Sequence, residues 1–160
     1  MELHPHCEPL AFLLGTWRGR GAGHYPTIDP FVYVEEVSFH HVGKPFLSYT
    51  QKTKHADSGE PLHAESGYLR AVGDGQVEFV LVQPSGIVEL HHARVSGTSL
   101  AFEFDAVHTT KTAKSVTAVT RTLAVEQREP DASPVLVYDV AMAAVGQPLT
   151  HHLHAELYLQ

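Results

Sequence analysis

After a short apolar run, Pro9-Leu10-Ala11-Phe12-Leu13-Leu14 closed by Gly15, the apolar positions of this chain recur at every second residue. The run is about a turn and a half of apolar residues stopped by a glycine, which predicts one short helical turn covering an end of the core. The period of two predicts half-buried strands. β-Branched and aromatic segments place them near residues 16–24, 31–41, 45–53, 62–71, 76–83, 86–93, 99–105, 115–125, 135–143 and 150–159. Gly73-Asp74-Gly75, Pro84-Ser85-Gly86, Ser96-Gly97-Thr98 and Gly146-Gln147-Pro148 supply tight turns between them. With no helix long enough for a crossover, short strands at hairpin spacing predict an antiparallel meander. Closing that meander gives an all-β, ten-stranded up-and-down barrel without open edges, wide enough to hold a ligand. A β-sandwich is the alternative that the turn signals leave open.

Composition narrows the function classes. At 160 residues the chain is read as one domain, 1–160, with a sizeable core. Lys and Arg total 11 against 18 Asp and Glu, a formal net charge of -7, which speaks against nucleic acid and anionic membranes as partners. A single cysteine, Cys7, cannot form an internal disulfide or a Cys-rich zinc site. It precedes the first strand, in a stretch expected to be mobile. The start of the chain lacks the basic and apolar regions of a signal peptide, and no run approaches a membrane span, so a cytoplasmic location is expected.

Several residue patterns could carry chemistry. Gly15-Thr16-Trp17-Arg18-Gly19-Arg20-Gly21 alternates glycine along one strand face, which admits a close backbone or ligand, or marks a bend. Lacking a following helix and a lysine, it is not a phosphate loop. Pro26 fixes the loop that presents Thr27, whose hydroxyl suits a ligand contact or a strand cap. Glu35 and Glu36 are adjacent in a strand, point to opposite faces, and cannot act as a catalytic pair. Ser66, Ser85 and Cys7 lack the setting of an activated nucleophile.

Histidine is the abnormal count, 13 in all. His40-His41, His91-His92 and His151-His152 are adjacent pairs, each expected to split between inside and outside. His152 and His154 share a face by simple alternation, half of a metal site that lacks a third ligand. One inward imidazole in an apolar cavity suits haem, which needs a single axial nitrogen plus a cation or hydroxyl for its propionates.

These segments together resemble the nitrobindins, small β-barrel haem proteins. Gly15 to Gly21 is similar to the family's G-x-W-x-G-x-G signature. It is followed in order by Gly23-His24-Tyr25-Pro26-Thr27-Ile28, Tyr33-Val34-Glu35-Glu36, His41-Val42-Gly43-Lys44-Pro45, Tyr49-Thr50-Gln51 and His63-Ala64-Glu65-Ser66-Gly67-Tyr68. Gln147-Pro148-Leu149-Thr150-His151-His152-Leu153 is similar to the family's P-L-x-x-H-L pattern. The resemblance implies haem b at one open end of the barrel, with His152 as axial and catalytic ligand, Thr27 and Lys114 at the haem edge, and His63, Gln83 and Met142 lining the cavity. It implies isomerisation of peroxynitrite to nitrate at ferric iron and nitric oxide binding when the iron is reduced, in a monomer or homodimer. A nitric oxide sensor or carrier without catalysis is a second reading within the haem class, and a fatty-acid-binding-like carrier of an apolar small molecule and a zinc hydrolase are the rivals from other classes. A last hairpin turning at Gln147 would pair Met142 with His152 on one face. Alternation would then put Leu153 and Leu157 on the face opposite His152, a conflict that a bulge, or haem held at the barrel rim, would remove.

Overall fold

The computed structural model describes residues 1–160. Ten antiparallel strands follow one short helix: β1 Gly15–Tyr25, β2 Ile28–His41, β3 Phe46–His55, β4 Pro61–Gly73, β5 Gln76–Gln83, β6 Ile87–Arg94, β7 Ser99–Thr109, β8 Val116–Glu126, β9 Val135–Ala144 and β10 Thr150–Leu159. Each strand pairs with its sequence neighbours, and β1 pairs with β10 to close the barrel. Closure removes the sandwich alternative and leaves no free edge. β2 begins before the predicted boundary because Pro30, which reads as a strand breaker, sits near the tight β1–β2 turn where Tyr25 pairs with Ile28. β7 runs four residues further than predicted because β6 alone holds it there: it pairs with β8 only over Ser99–Phe102.

The helix is a 3-10 segment, Pro5–Leu13, which begins earlier than the apolar run suggests. Cys7, Leu10 and Leu13 recur at every third residue, the repeat of a 3-10 turn, and form its buried face. The Trp17 indole N–H donates to Leu13 O at 2.8 Å and fastens this plug to β1. The expectation of a mobile segment around Cys7 is thereby overturned. Its side chain is fully buried in the core, its thiol donates to Lys44 O at 3.6 Å, and burial pushes its pKa up.

Gly19 and Gly21 show what the glycine alternation is for. A Cβ on Gly19 would lie 2.0 Å from Glu156 O on β10, and one on Gly21 would lie 2.2 Å from the Tyr33 ring. The close approach belongs to a neighbouring strand and to an aromatic ring of the chain itself. Outside, the wall is charged: Arg18 and Lys52 flank Glu36 at 2.7 and 3.2 Å, and Arg70 pairs with Glu78. Glu36 faces out and Glu35 is buried, as the parity of adjacent strand residues requires. No helix is long and apolar enough to cross a membrane.

Candidate functional site

Opposite the helical plug, the barrel opens into a cavity of about 620 Å³, within the range of small-molecule sites. Its walls include Ile28, Phe31, Leu62, Val116, Met142 and Leu153, and its floor is polar, with Gln51, Thr53, Glu65, Gln83, Glu89 and Arg121. Ile28 and Leu62 are large apolar side chains left about half exposed. The connection between β7 and β8, which splay apart at this end, brings Lys114 to the cavity lining.

A bulge sets the geometry of β10. His151 pairs with Ala141 and Leu153 with Val140, so His152 is the extra residue and both His152 and Leu153 line the cavity. The conflict between His152 and the leucines is resolved in this way. Two expectations are corrected by the same bulge. His154 does not share a face with His152: it turns outward and, with His151, bonds Asp139 on the outer wall at 3.0 and 2.8 Å. No zinc half-site therefore forms from His152 and His154. Met142 pairs with Thr150 rather than His152, although both Met142 and His152 reach the cavity.

His152 is held for coordination chemistry. Its Nδ1 lies 2.8 Å from the carbonyl of His24, and a carbonyl only accepts, so Nδ1 carries the proton and Nε2 keeps its lone pair. Burial holds its pKa below the usual histidine range, favouring the neutral ring. Tyr25 stands edge-on to the imidazole at 5.4 Å and Phe31 at 6.3 Å. The Tyr25 hydroxyl accepts from the N–H of Ala144 at 2.9 Å and donates to Met142 O at 3.1 Å, tying the end of β9 to the same corner. A half-buried neutral imidazole, apolar walls and a rim cation fit the requirements of haem.

His63, Gln83, Lys114, Met142 and His152, all singled out from the sequence, meet in this one cavity. Thr27 does not line it: it is exposed in the β1–β2 turn, next to Ile28, which does. What the sequence reading missed is the charged part of the floor. Arg121 forms paired hydrogen bonds to both Glu65 and Glu89, at 2.7 and 3.1 Å and at 2.8 and 2.9 Å. Tyr49 and His63 also bond Glu65, and His91 and Gln83 bond Glu89. Burial works against ionisation of Glu65, but the Arg121 charge and the His63 contact outweigh it and hold the carboxyl at about 2. Glu89 is lowered by the same guanidinium against the same burial. The available signal was parity, since Glu65, Glu89 and Arg121 all fall on the apolar face of their strands.

Glu35 is a third buried carboxylate, without a cation of its own. Burial pushes it up to about 7, despite hydrogen bonds from Tyr138 and Gln51. A carboxyl with a raised folded pKa contributes stability below its unfolded value that is lost as pH rises through the folded one. Stability is therefore expected to fall between about pH 5 and 7, by up to about 3 kcal/mol, and Glu35→Gln should remove the fall. Denaturant unfolding at constant ionic strength checks this.

The comparisons with known proteins agree with this geometry. A family described as "THAP4-like, heme-binding beta-barrel domain" matches residues 6–158. "Peroxynitrite isomerase 2" of Mycobacterium ulcerans is 52% identical to the chain over 98% of it and 96% of that protein. "Peroxynitrite isomerase 1" of Mycolicibacterium paratuberculosis is 50% identical, covering 99% of this chain and 98% of its own. The crystal structure of Rv2717c from M. tuberculosis superposes with a TM-score of 0.89 at 46% identity, covering 99% of both chains. By its match over nearly the whole barrel and by these relatives, the chain belongs to the THAP4-like, haem-binding β-barrel family.

Proposed function

We propose that this chain binds haem b in the 620 Å³ cavity, with His152 as the axial ligand, and isomerises peroxynitrite to nitrate there. The observation that carries the reading is the His152 imidazole, lining the cavity with Nδ1–H committed to the His24 carbonyl and Nε2 free to coordinate. The relatives' names supply the substrate. Bound haem would supply a ferric Lewis acid for the conversion of peroxynitrite to nitrate and, when reduced, a site for nitric oxide.

The chain's own groups do the rest. His152 donates electron density and fixes the cofactor's orientation, and the His24 carbonyl fixes the ring. Ile28 and Leu62 give the cofactor an apolar rim to cover, Lys114 pairs with a propionate, and Thr27 meets the cofactor's edge from its turn. His63, Gln83 and Met142 line the remaining space, where the Nε2 of His63 is turned to Glu65. A fatty-acid carrier is disfavoured because the one buried guanidinium, Arg121, is already spent on two carboxylates. The proposal is of a single-domain cytoplasmic protein, monomeric or homodimeric.

The test is product analysis with ferric holo-protein and apo-protein. Holo-protein is expected to accelerate peroxynitrite decay and shift its products toward nitrate, to lose this effect in cyanide, and to keep it in Cys7→Ala, whose thiol is buried. Protection by apo-protein equal to that by holo-protein would overturn the reading. Lys114→Glu is expected to weaken hemin affinity roughly five- to tenfold at low salt, and Thr27→Val about twofold. Hemin titration across a salt series measures both, and an unchanged Lys114→Glu removes that residue from the site.

A further inference from the structure

A line of aromatic rings leads from the axial histidine along the cavity wall into the core. Phe31 stands edge-on to the His152 imidazole with ring centres 6.3 Å apart, and the Phe31 ring meets the Tyr33 ring at 5.9 Å. Phe31 and Tyr33 both line the cavity. Their seats are cut by the glycine alternation of β1: a Cβ on Gly23 would collide with the Phe31 ring, and one on Gly21 with the Tyr33 ring. The glycine stripe is thus the bed on which this aromatic line rests.

The line ends on a base. Tyr138 on β9 donates its hydroxyl proton to Glu35 Oε2 at 2.7 Å, so toward Tyr33, also at 2.7 Å, it accepts, and the Tyr33 O–H is the donor. Burial pushes both phenols up and disfavours a phenolate, so an electron leaves either ring only together with a proton that a neighbour takes. Glu35 is placed to take it: it has no cation of its own, and burial pushes its carboxyl up to about 7. The other buried tyrosines lack such an acceptor. Tyr49 donates to Glu65, where burial is outweighed by the Arg121 charge and the carboxyl stays at about 2, and Tyr25 donates to backbone carbonyls.

We propose that Tyr33, Tyr138 and Glu35 form a proton-coupled oxidation relay that quenches one-electron oxidants left in the cavity. The relay takes its oxidant from the isomerase reading, on which it rests in this respect: peroxynitrite whose peroxide bond breaks without recombination releases nitrogen dioxide. Nitrogen dioxide takes one electron from Tyr33 and leaves as nitrite. In the same step the Tyr33 O–H proton passes to the Tyr138 oxygen and the Tyr138 proton passes to Glu35 Oε2. A neutral phenoxyl radical then stands on Tyr33 and a carboxylic acid on Glu35. One electron and two protons move, and nitrite carries the charge that the carboxylate gives up. Electron transfer needs proximity rather than contact, so the burial of Tyr33 in the cavity wall is no obstacle, and Phe31 bridges it to the axial imidazole. The activity is a one-electron reduction of nitrogen dioxide, separate from isomerisation, that spares the cofactor.

Freeze-quenched electron paramagnetic resonance tests this on ferric holo-protein, as wild type, Tyr33→Phe, Tyr138→Phe, Glu35→Gln and Tyr49→Phe, with circular dichroism confirming that each is folded. The oxidant is peroxynitrite in one series and hydrogen peroxide, which oxidises haem proteins without nitrogen chemistry, in the other. Wild type is expected to give a radical signal that narrows when the protein carries ring-deuterated tyrosine. The signal should be lost in Tyr33→Phe and kept in Tyr49→Phe. It should be largely lost in Tyr138→Phe and Glu35→Gln, which keep the Tyr33 ring and break its path to a base. In the peroxide series the wild-type signal should grow from about pH 6 to 8 as Glu35 ionises, and that of Glu35→Gln should stay low and flat. The groups that face Glu35 over this range are Tyr138, Gln51, Glu65, Arg121 and Tyr33, while β1 and β10 present the uncharged Gly19 and Leu157 beside it. Tyr33→Phe, Tyr138→Phe and Glu35→Gln should also bleach the Soret band faster than wild type does. Absence of a tyrosyl signal in wild type, its survival in Tyr33→Phe, or its full strength in both Tyr138→Phe and Glu35→Gln overturns the proposal. A protein that gives the Tyr33 signal with peroxide but yields no nitrate from peroxynitrite retires the isomerase reading and keeps the relay.

Discussion

His152→Ala is expected to leave a folded barrel that no longer retains haem, whereas His151→Ala and His154→Ala retain it. The substitution removes one half-buried ring and its single hydrogen bond to the His24 carbonyl, a net loss of about 1 kcal/mol that a barrel closed on all ten strands should survive. Nothing else placed like it replaces the lost ligand. His63, the other histidine of the cavity, has its Nε2 turned to Glu65 at 3.3 Å, and His91 is sealed among Phe79, Phe102 and Phe104 with its Nε2 on Glu89. His151 and His154 share Asp139 on the outside of the wall, where neither can reach the cavity. Hemin titration followed at the Soret band, with circular dichroism as the control for folding, measures the contrast. Added imidazole should restore part of the spectrum in His152→Ala. Undiminished hemin binding by that variant would remove His152 from the axial position.

The bulge that isolates His152 also marks the limit of what the sequence could say. Period-two alternation carried all ten strands and the closed meander, because every strand has one face on the core and one on solvent. It also carried the split of His151 from His152. Alternation fails wherever a strand gains a residue, and at His152 it put His154 on the same face as His152 and Leu153 on the opposite one. The helical plug was read too short for a related reason. An apolar run of six residues drew attention to Pro9–Leu14, while the spacing of three that joins Cys7 to Leu10 and Leu13 is weak over so few residues. The cavity residues came from resemblance rather than periodicity, and the charged groups of the floor came from neither. Glu65, Glu89 and Arg121 lie on buried faces by parity, but a charge at such a position is ordinarily a sign of a wrong register, and only their convergence from β4, β6 and β8 makes them consistent.

Removing the guanidinium at the centre of that convergence should be the most destabilising single change in the barrel. Arg121→Met keeps the stem's apolar packing and leaves two carboxylates, 4% and 1% exposed, facing each other without a cation. Breaking a buried pair from one side costs about 3–5 kcal/mol, because the surviving charge keeps its desolvation penalty and loses its partner. The pH dependence identifies the cause. In wild type, Glu65 is held at about 2, so its contribution is present above the ordinary carboxylate range and is lost only as pH falls through that value. In Arg121→Met burial is no longer outweighed, the folded pKa of Glu65 and Glu89 rises above the unfolded one, and the variant is least stable at neutral pH. Its deficit against wild type should therefore shrink as pH is lowered from 7 toward 5, the opposite of what a packing defect would give. Adding Glu65→Gln and Glu89→Gln to Arg121→Met should recover most of the loss at neutral pH, since uncharged amides can share hydrogen bonds with Tyr49, His63, His91 and Gln83. Denaturant unfolding of the three proteins across this range measures it. A deficit below about 1 kcal/mol, or one that does not change with pH, would mean that the floor is solvated and that Arg121 does not hold it together.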